Sequence, residues 1–141
     1  MRRFIFASHH KLATGLKDTV QFLTNYSDSA KQIYDISAYV NDGDKTVQDI
    51  VGELFTSFDK EDEVIVLTDM LGGSVNQSFY PYLNKNVHVI TGMNLALAMS
   101  LMLLPEDEKL SEDMISDIVN ECKEQIIYVN RMELNIDDND E

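Results

Sequence analysis

Apolar residues along the chain follow two spacings, which separate candidate strands from candidate helices. Four short apolar runs, bounded by polar and turn-forming residues, predict buried β-strands. Between these runs, apolar residues recur every three or four positions, as they do on one face of an amphipathic helix. The pattern predicts strands at residues 3–8, 33–39, 63–68 and 87–90, and helices at residues 10–25, 47–58, 73–79, 95–104 and 115–126.

Strands and helices alternate in the order that is typical of an α/β protein with a parallel sheet. The third run has almost no polar interruption, so we expect helices on both faces of the sheet. Right-handed crossovers favour a doubly wound, four-stranded sheet with the strand order 2-1-3-4. An apolar stretch at residues 127–129 predicts a further short C-terminal strand. We expect one domain over residues 1–134, followed by an acidic, disordered tail at residues 135–141.

Polar residues that can take part in catalysis or binding follow two of the predicted strands. His9 comes directly after the first strand, and Asp69 follows the third, ahead of a Gly72-Gly73-Ser74 turn. In the order 2-1-3-4 the first and third strands are neighbours, about 4.8 Å apart. Open α/β sheets bind their ligands at the carboxyl ends of the strands. We therefore expect His9 and Asp69 to lie side by side at that edge.

Together these residues can hold a phosphoryl group. A histidine with one free ring nitrogen is a nucleophile, and a carboxylate on the other nitrogen fixes the tautomer and steadies positive charge. Gly72, Gly73 and Ser74, at the start of a helix, offer backbone N–H groups and a hydroxyl to an anion. Taken singly, His9 can be a structural residue, Asp69 a helix cap and Gly-Gly-Ser a common turn. Their combination favours a phosphohistidine site.

Charge and composition narrow the classes of partner. The chain has 141 residues and a formal net charge of −14, which argues against nucleic acids and anionic membrane surfaces and permits a basic protein partner. The acidity also has a plain explanation in solubility. The single cysteine, Cys122, excludes an intramolecular disulfide, and we expect it to be buried.

No residue pattern in the chain indicates a cofactor or a membrane segment. The sequence lacks a CxxC motif and a His/Cys cluster, so we expect no metal and no other cofactor. The longest apolar run is too short to cross a bilayer, and the first apolar stretch is too short for a signal peptide. We expect a cytoplasmic protein without direct membrane insertion.

Other classes of protein fit the motifs less well. A Ser-His-Asp hydrolase would use Ser74, but the turn lacks the second glycine of a G-x-S-x-G elbow. A response-regulator receiver would place acidic residues after its first strand, and a flavin or dinucleotide binder would have a longer glycine-rich loop there. A non-catalytic acidic interaction module remains open.

At these motifs the chain resembles the mannose-family enzyme IIA of the sugar phosphotransferase system (PTS). That family carries a Ser/Thr-His-Gly run after the first strand, matched by Ser-His-His at residues 8–10. It carries Asp-x-x-Gly-Gly-Ser-Pro after the third, matched as far as the serine by residues 69–74, and a Gly-x-Asn segment after the fourth, matched by residues 92–94. The resemblance extends to about residue 134.

The resemblance implies a phosphotransferase that forms a phosphohistidine intermediate. In that scheme His9 takes a phosphoryl group from the carrier HPr and passes it to an enzyme IIB, which works with membrane IIC and IID subunits in sugar uptake. Asp69 would orient the ring, and Gly72, Gly73 and Ser74 would bind the phosphate. The resemblance also implies a homodimer in which the C-terminal strand is exchanged. The sugar itself is not encoded in the chain, because enzyme IIA never binds it.

Two positions depart from the family pattern. His10 stands where the family has glycine, which raises the question of which imidazole is phosphorylated; we assign His9, with Ser8 and His10 as accessory residues. Val75 replaces a proline, which bears on the rigidity of the phosphate loop. The nearest alternative is the related phosphotransfer subunit of the phosphoenolpyruvate-dependent dihydroxyacetone kinase; the Leu-Gly-Gly-Ser form at residues 71–74 favours the sugar-transport branch.

Overall fold

The architecture was determined from a computed structural model, which describes residues 1–24, 32–41, 43 and 45–133. It contains a four-stranded sheet, five α-helices and two short 3₁₀ segments at Tyr80–Tyr82 and Val129–Arg131. The elements, in chain order, are β1 (Arg2–His9), α1 (Leu12–Thr24), β2 (Gln32–Ala38), α2 (Val47–Thr56), β3 (Glu63–Thr68), α3 (Ser74–Gln77), β4 (Val87–Thr91), α4 (Leu95–Met102) and α5 (Glu112–Lys123).

All four strands are parallel, and their order is β2-β1-β3-β4, which confirms the predicted 2-1-3-4 topology. The register pairs His9 with Ala38 of β2, and Ala7 with Thr68 of β3. The carboxyl ends of β1, β2 and β3 therefore meet at one edge of the sheet. This register brings the residues after all three strands into one site.

The sheet separates two apolar cores, as the doubly wound fold requires. Along β1 the side chains alternate, so that Phe4 and Phe6 enter one core while Ile5 and Ala7 enter the other. The first core is completed by residues of α1, α4 and α5, and the second by residues of α2 and α3. Cys122 lies in the first core and is buried, as expected.

Two non-glycine residues with positive φ shift the ends of the predicted elements. Tyr39, at φ 62°, was predicted as the last residue of the second strand, but a left-handed backbone cannot continue a strand, and β2 ends at Ala38. His10, at φ 55°, lies in the turn after β1, so α1 begins at Leu12 instead of residue 10. The predicted end of that helix, Asn25, lies outside the described residues.

The predicted C-terminal strand at residues 127–129 is wrong for the single chain. Residues 126–128 pair with no strand, and the backbone then closes into the 3₁₀ turn at Val129–Arg131. A strand needs a hydrogen-bonding partner, and none of the four described strands offers one to this segment. The acidic tail at residues 135–141 lies outside the described residues. Within the described ranges, no helix is both long and apolar enough to cross a bilayer.

Candidate functional site

The neighbouring ends of β1 and β3 bring His9 and Asp69 into direct contact. Asp69 Oδ2 accepts a hydrogen bond from the backbone N–H of His9 at 2.8 Å, and the same oxygen lies 2.9 Å from Nδ1 of the His9 ring. The ring is held from both its backbone and its δ nitrogen, while 40% of the side chain stays exposed. This arrangement reserves Nδ1 for the carboxylate and leaves Nε2 as the ring nitrogen that can act as a nucleophile.

Asp69 is held in its ionised form. Burial tends to raise the pKa of this carboxyl, but the hydrogen bonds from the backbone and ring of His9 outweigh burial, and its pKa lies below the ordinary value. Asp69 Oδ1 accepts from the N–H of Met70. The alternative role of Asp69 as a helix cap does not apply, because the cap residue of α3 is Gly73.

The glycine turn closes against the edge of the His9 ring. Gly72 adopts φ 74°, a conformation that favours glycine, and Gly73 follows it as the first residue of the turn into α3. A Cβ at position 73 would lie 3.2 Å from Cε1 of His9 and 3.9 Å from Nε2. Glycine at position 73 thus lets the backbone approach this edge of the His9 ring. The first N–H groups of a helix lack intrahelical acceptors, so those of α3 are available to an anion there.

Tyr39 is a site residue that the sequence analysis missed. Its ring stacks on the ring of His9, with centroids 5.6 Å apart and planes 27° from parallel. Its hydroxyl lies 2.6 Å from Oγ of Ser74. The signal was present in the predicted strand order: β2 neighbours β1, so a residue that follows β2 lies at the same edge as His9.

Ser8 and His10, the proposed accessory residues, occupy different positions. Ser8 is completely buried; its Oγ accepts from the N–H of Ala13 at 2.7 Å and donates to the carbonyl of His10 at 3.0 Å. It therefore braces the turn between β1 and α1. The backbone N–H of His10 donates to the carbonyl of Ala38, and its side chain is exposed.

A second residue missed from sequence, Asn76, fixes the shape of the loop between Asp69 and α3. Its side chain is buried, donates to Oγ1 of Thr68 at 2.9 Å and accepts from the hydroxyl of Tyr80 at 2.7 Å. These contacts tie the glycine turn to the end of β3. In the described part of the chain, no group of three or more His, Cys, Asp or Glu residues has an arrangement that could hold a metal ion.

Comparisons with known proteins agree on one family. The family model described as "PTS system fructose IIA component" matches residues 3–128. No significant match was found among curated protein sequences.

Three solved structures illustrate the structural likeness. One, described as a phosphoenolpyruvate-dependent sugar PTS permease from Klebsiella pneumoniae, is 33% identical, covers 92% of each chain and has a TM-score of 0.82. A PTS IIA protein associated with the fucose utilization operon of Streptococcus pneumoniae is 26% identical over 92% of this chain and 94% of its own, with a TM-score of 0.69. The mannose/sorbose specific IIA subunit from Enterococcus faecalis, 18% identical over 95% and 98% of the two chains, shares the fold with a TM-score of 0.74.

Proposed function

The chain belongs to the mannose/fructose-type enzyme IIA family of the PTS, and from this premise we propose that it is a phosphohistidine carrier acting in the cytoplasm. It accepts a phosphoryl group from phosphorylated HPr on His9 and passes the group to an enzyme IIB during sugar uptake. The observation that carries this proposal is the pair of contacts that one oxygen of Asp69 makes as acceptor, with the backbone N–H and with ring Nδ1 of His9.

In the transfer step the lone pair of His9 Nε2 attacks the phosphorus of the donor phosphohistidine. The N–P bond to the donor breaks, and its electron pair returns to the donor imidazole. The proton on Nδ1 of His9 stays in the hydrogen bond to Asp69, whose negative charge steadies the phosphorylated ring. In the transfer to enzyme IIB, a nucleophilic side chain of that protein attacks the phosphorus, the Nε2–P bond breaks, and its electron pair returns to the His9 ring.

The phosphoryl oxygens bind at the glycine turn. Gly73 lets the backbone come close to Nε2, Gly72 adopts the positive φ of the turn, and Ser74 supplies a hydroxyl at the start of α3. These donors match the anion that forms on His9.

The surface around the site suits a protein partner. Leu12, Met70 and Leu71 are all more than half exposed and lie beside His9 and Asp69 in the chain. Exposed apolar residues around an exposed nucleophile provide contact area for a docking protein. The net charge of −14 favours a partner with a basic docking surface.

The C-terminal segment supports the proposal that the protein is a homodimer. β4 is an edge strand in the described chain, and a groove of about 480 Å³ runs along it, lined by residues that include Val87 and Val89. The apolar residues at 126–129 are more than half exposed in the single chain, so they can pack into this groove of another chain. In the dimer, each chain adds this segment to the β4 edge of its partner.

Phosphorylation by phosphoenolpyruvate, enzyme I and HPr tests the carrier function. The wild type should gain one phosphoryl group that is labile in acid and stable in base, read by mass spectrometry. His9→Ala should abolish this label, whereas His10→Ala should retain it. Label that survives in His9→Ala and disappears in His10→Ala would move the site to His10. A wild type that takes no label would leave the acidic interaction module as the better description.

The dimer is tested by light scattering on the full chain after size-exclusion chromatography. We expect a dimer for the wild type and a monomer for Ile127→Asp, because an added carboxylate would lose its hydration in the groove and would be repelled by Glu112, which lines it. Leu103→Asp, at another apolar residue that is more than half exposed, is the matched control and should stay dimeric. A monomeric wild type would refute strand exchange.

A further inference from the structure

Tyr39 connects the two halves of the site. Its ring stacks on the His9 imidazole, and its hydroxyl lies 2.6 Å from Ser74 Oγ, next to the glycine turn. The residue thus bridges the nucleophile and the anion donors.

The backbone of Tyr39 indicates that this bridge is a built feature. A bulky residue with positive φ is strained, and turns normally place glycine or asparagine there. Burial does not explain the tyrosine, because 62% of its surface is exposed. The left-handed turn directs the side chain back over the end of β1 and away from the line of β2.

We propose that Tyr39 is a positioning residue for phosphoryl transfer, an inference that rests on the function proposed above. Its hydroxyl donates to Ser74 Oγ, which leaves the serine hydrogen directed at a phosphoryl oxygen on Nε2. Its ring holds the imidazole plane in line with that phosphoryl group. Tyr39 itself does not touch the reacting atoms.

The hydroxyl and the ring make separable contributions. Tyr39→Phe keeps the stack and loses only the bond to Ser74; because one neutral hydrogen bond is removed, we expect kcat for phosphorylation by HPr to fall about three- to tenfold at unchanged KM for HPr. Tyr39→Leu loses both contributions and should be slower than Tyr39→Phe by a further factor of about three.

Coupling to Ser74 distinguishes positioning from a general structural effect. If Tyr39 acts through Ser74, then Tyr39→Phe added to Ser74→Ala should slow transfer by less than about twofold more. Tyr34→Phe is the matched control, because it too removes a tyrosine hydroxyl that is hydrogen-bonded to side chains. The partners of this hydroxyl are Arg3 and Gln32, and Tyr34 lies on β2, away from the site. The control should transfer phosphate at the wild-type rate.

The possible outcomes separate this inference from the proposed function. A wild type that accepts phosphate from HPr while Tyr39→Phe matches it in kcat would overturn the role of Tyr39 and leave the carrier function intact. Full additivity with Ser74→Ala would also overturn it. A wild type that accepts no phosphate would overturn both. The role of Tyr39 is supported if Tyr39→Phe lowers kcat at unchanged KM and unchanged melting temperature. The same substitution should not lower kcat in the Ser74→Ala background.

Discussion

His10 holds a backbone conformation that side chains seldom adopt. Its φ of 55° is fixed by two hydrogen bonds to its backbone. The N–H of His10 donates to the carbonyl of Ala38, and the carbonyl of His10 accepts from Oγ of Ser8. Neither bond uses the imidazole. Histidine tolerates this region better than most residues, and glycine tolerates it best. The glycine of the family pattern and the histidine of this chain therefore satisfy the same turn.

The effect of substituting His10 on the free energy of unfolding should follow the backbone strain of the new residue. Because β-branched residues are disfavoured at positive φ, His10→Val should lower the free energy of unfolding by about 1–2 kcal/mol. His10→Gly should leave the free energy of unfolding unchanged or raise it slightly. Urea unfolding of the two variants measures the difference; equal stability of the two variants would show that the turn relaxes in solution.

In the proposed mechanism, the reactivity of His9 depends on Asp69. An asparagine at this position can donate its amide N–H to Nδ1, which would put the ring proton on Nε2 and block the nucleophile. Asp69→Asn should therefore slow phosphorylation on the order of 10- to 100-fold while the melting temperature shows that the fold is kept. Single-turnover transfer from phosphorylated HPr gives the rate constant. A wild-type rate would remove Asp69 from the mechanism.

At the scale of single elements, Asn94 connects a family motif to helix stability. The side chain accepts a hydrogen bond from the N–H of Leu97 at 2.8 Å and caps α4. Asn94→Ala should lower the free energy of unfolding by about 1 kcal/mol, while Asn94→Asp, an equally good cap, should restore it. Thr46→Ala, which removes the cap of α2, is a matched control with a similar expected loss. No loss in Asn94→Ala, measured by urea unfolding, would argue against the cap.

The elements that could be predicted from sequence are those with a strong local pattern. The four strands, their order and the meeting of His9 with Asp69 followed from apolar runs and crossover handedness. The C-terminal strand is absent from the single chain, because an apolar stretch indicates a preference for burial but does not specify the partner. Tyr39 was missed because its importance comes from a left-handed turn, which no local residue preference predicts for tyrosine.

At the scale of the whole molecule, buried titratable groups set how stability responds to acid. His88 lies in β4; burial lowers its pKa, and the nearby charges of Glu63 and Glu112 only partly oppose this effect. Burial would raise the pKa of Asp62, but hydrogen bonds from Arg3, from the backbone N–H of Asp59 and from the N-terminus outweigh it, so its pKa is lowered. In both cases the unfolded chain binds protons more readily than the folded chain, so stability falls as pH falls.

The two groups act in different pH windows, which makes their contributions separable. The contribution of His88 is complete above its ordinary pKa near 6.5 and is lost as the pH falls below that value, whereas that of Asp62 is lost only below about 3.8. His88→Gln should therefore flatten the decline of unfolding free energy between about pH 7 and pH 5, and Asp62→Asn should flatten it below about pH 4.

Asp62→Asn should also lower stability at neutral pH by about 2–3 kcal/mol, because it removes a charged partner of Arg3. Protonation of other carboxylates relieves their repulsion in the wild type and in the variants alike. The measurement is therefore the difference in unfolding free energy between variant and wild type, obtained by urea unfolding at each pH. Parallel curves for His88→Gln and the wild type from pH 7 to pH 5 would contradict the assignment.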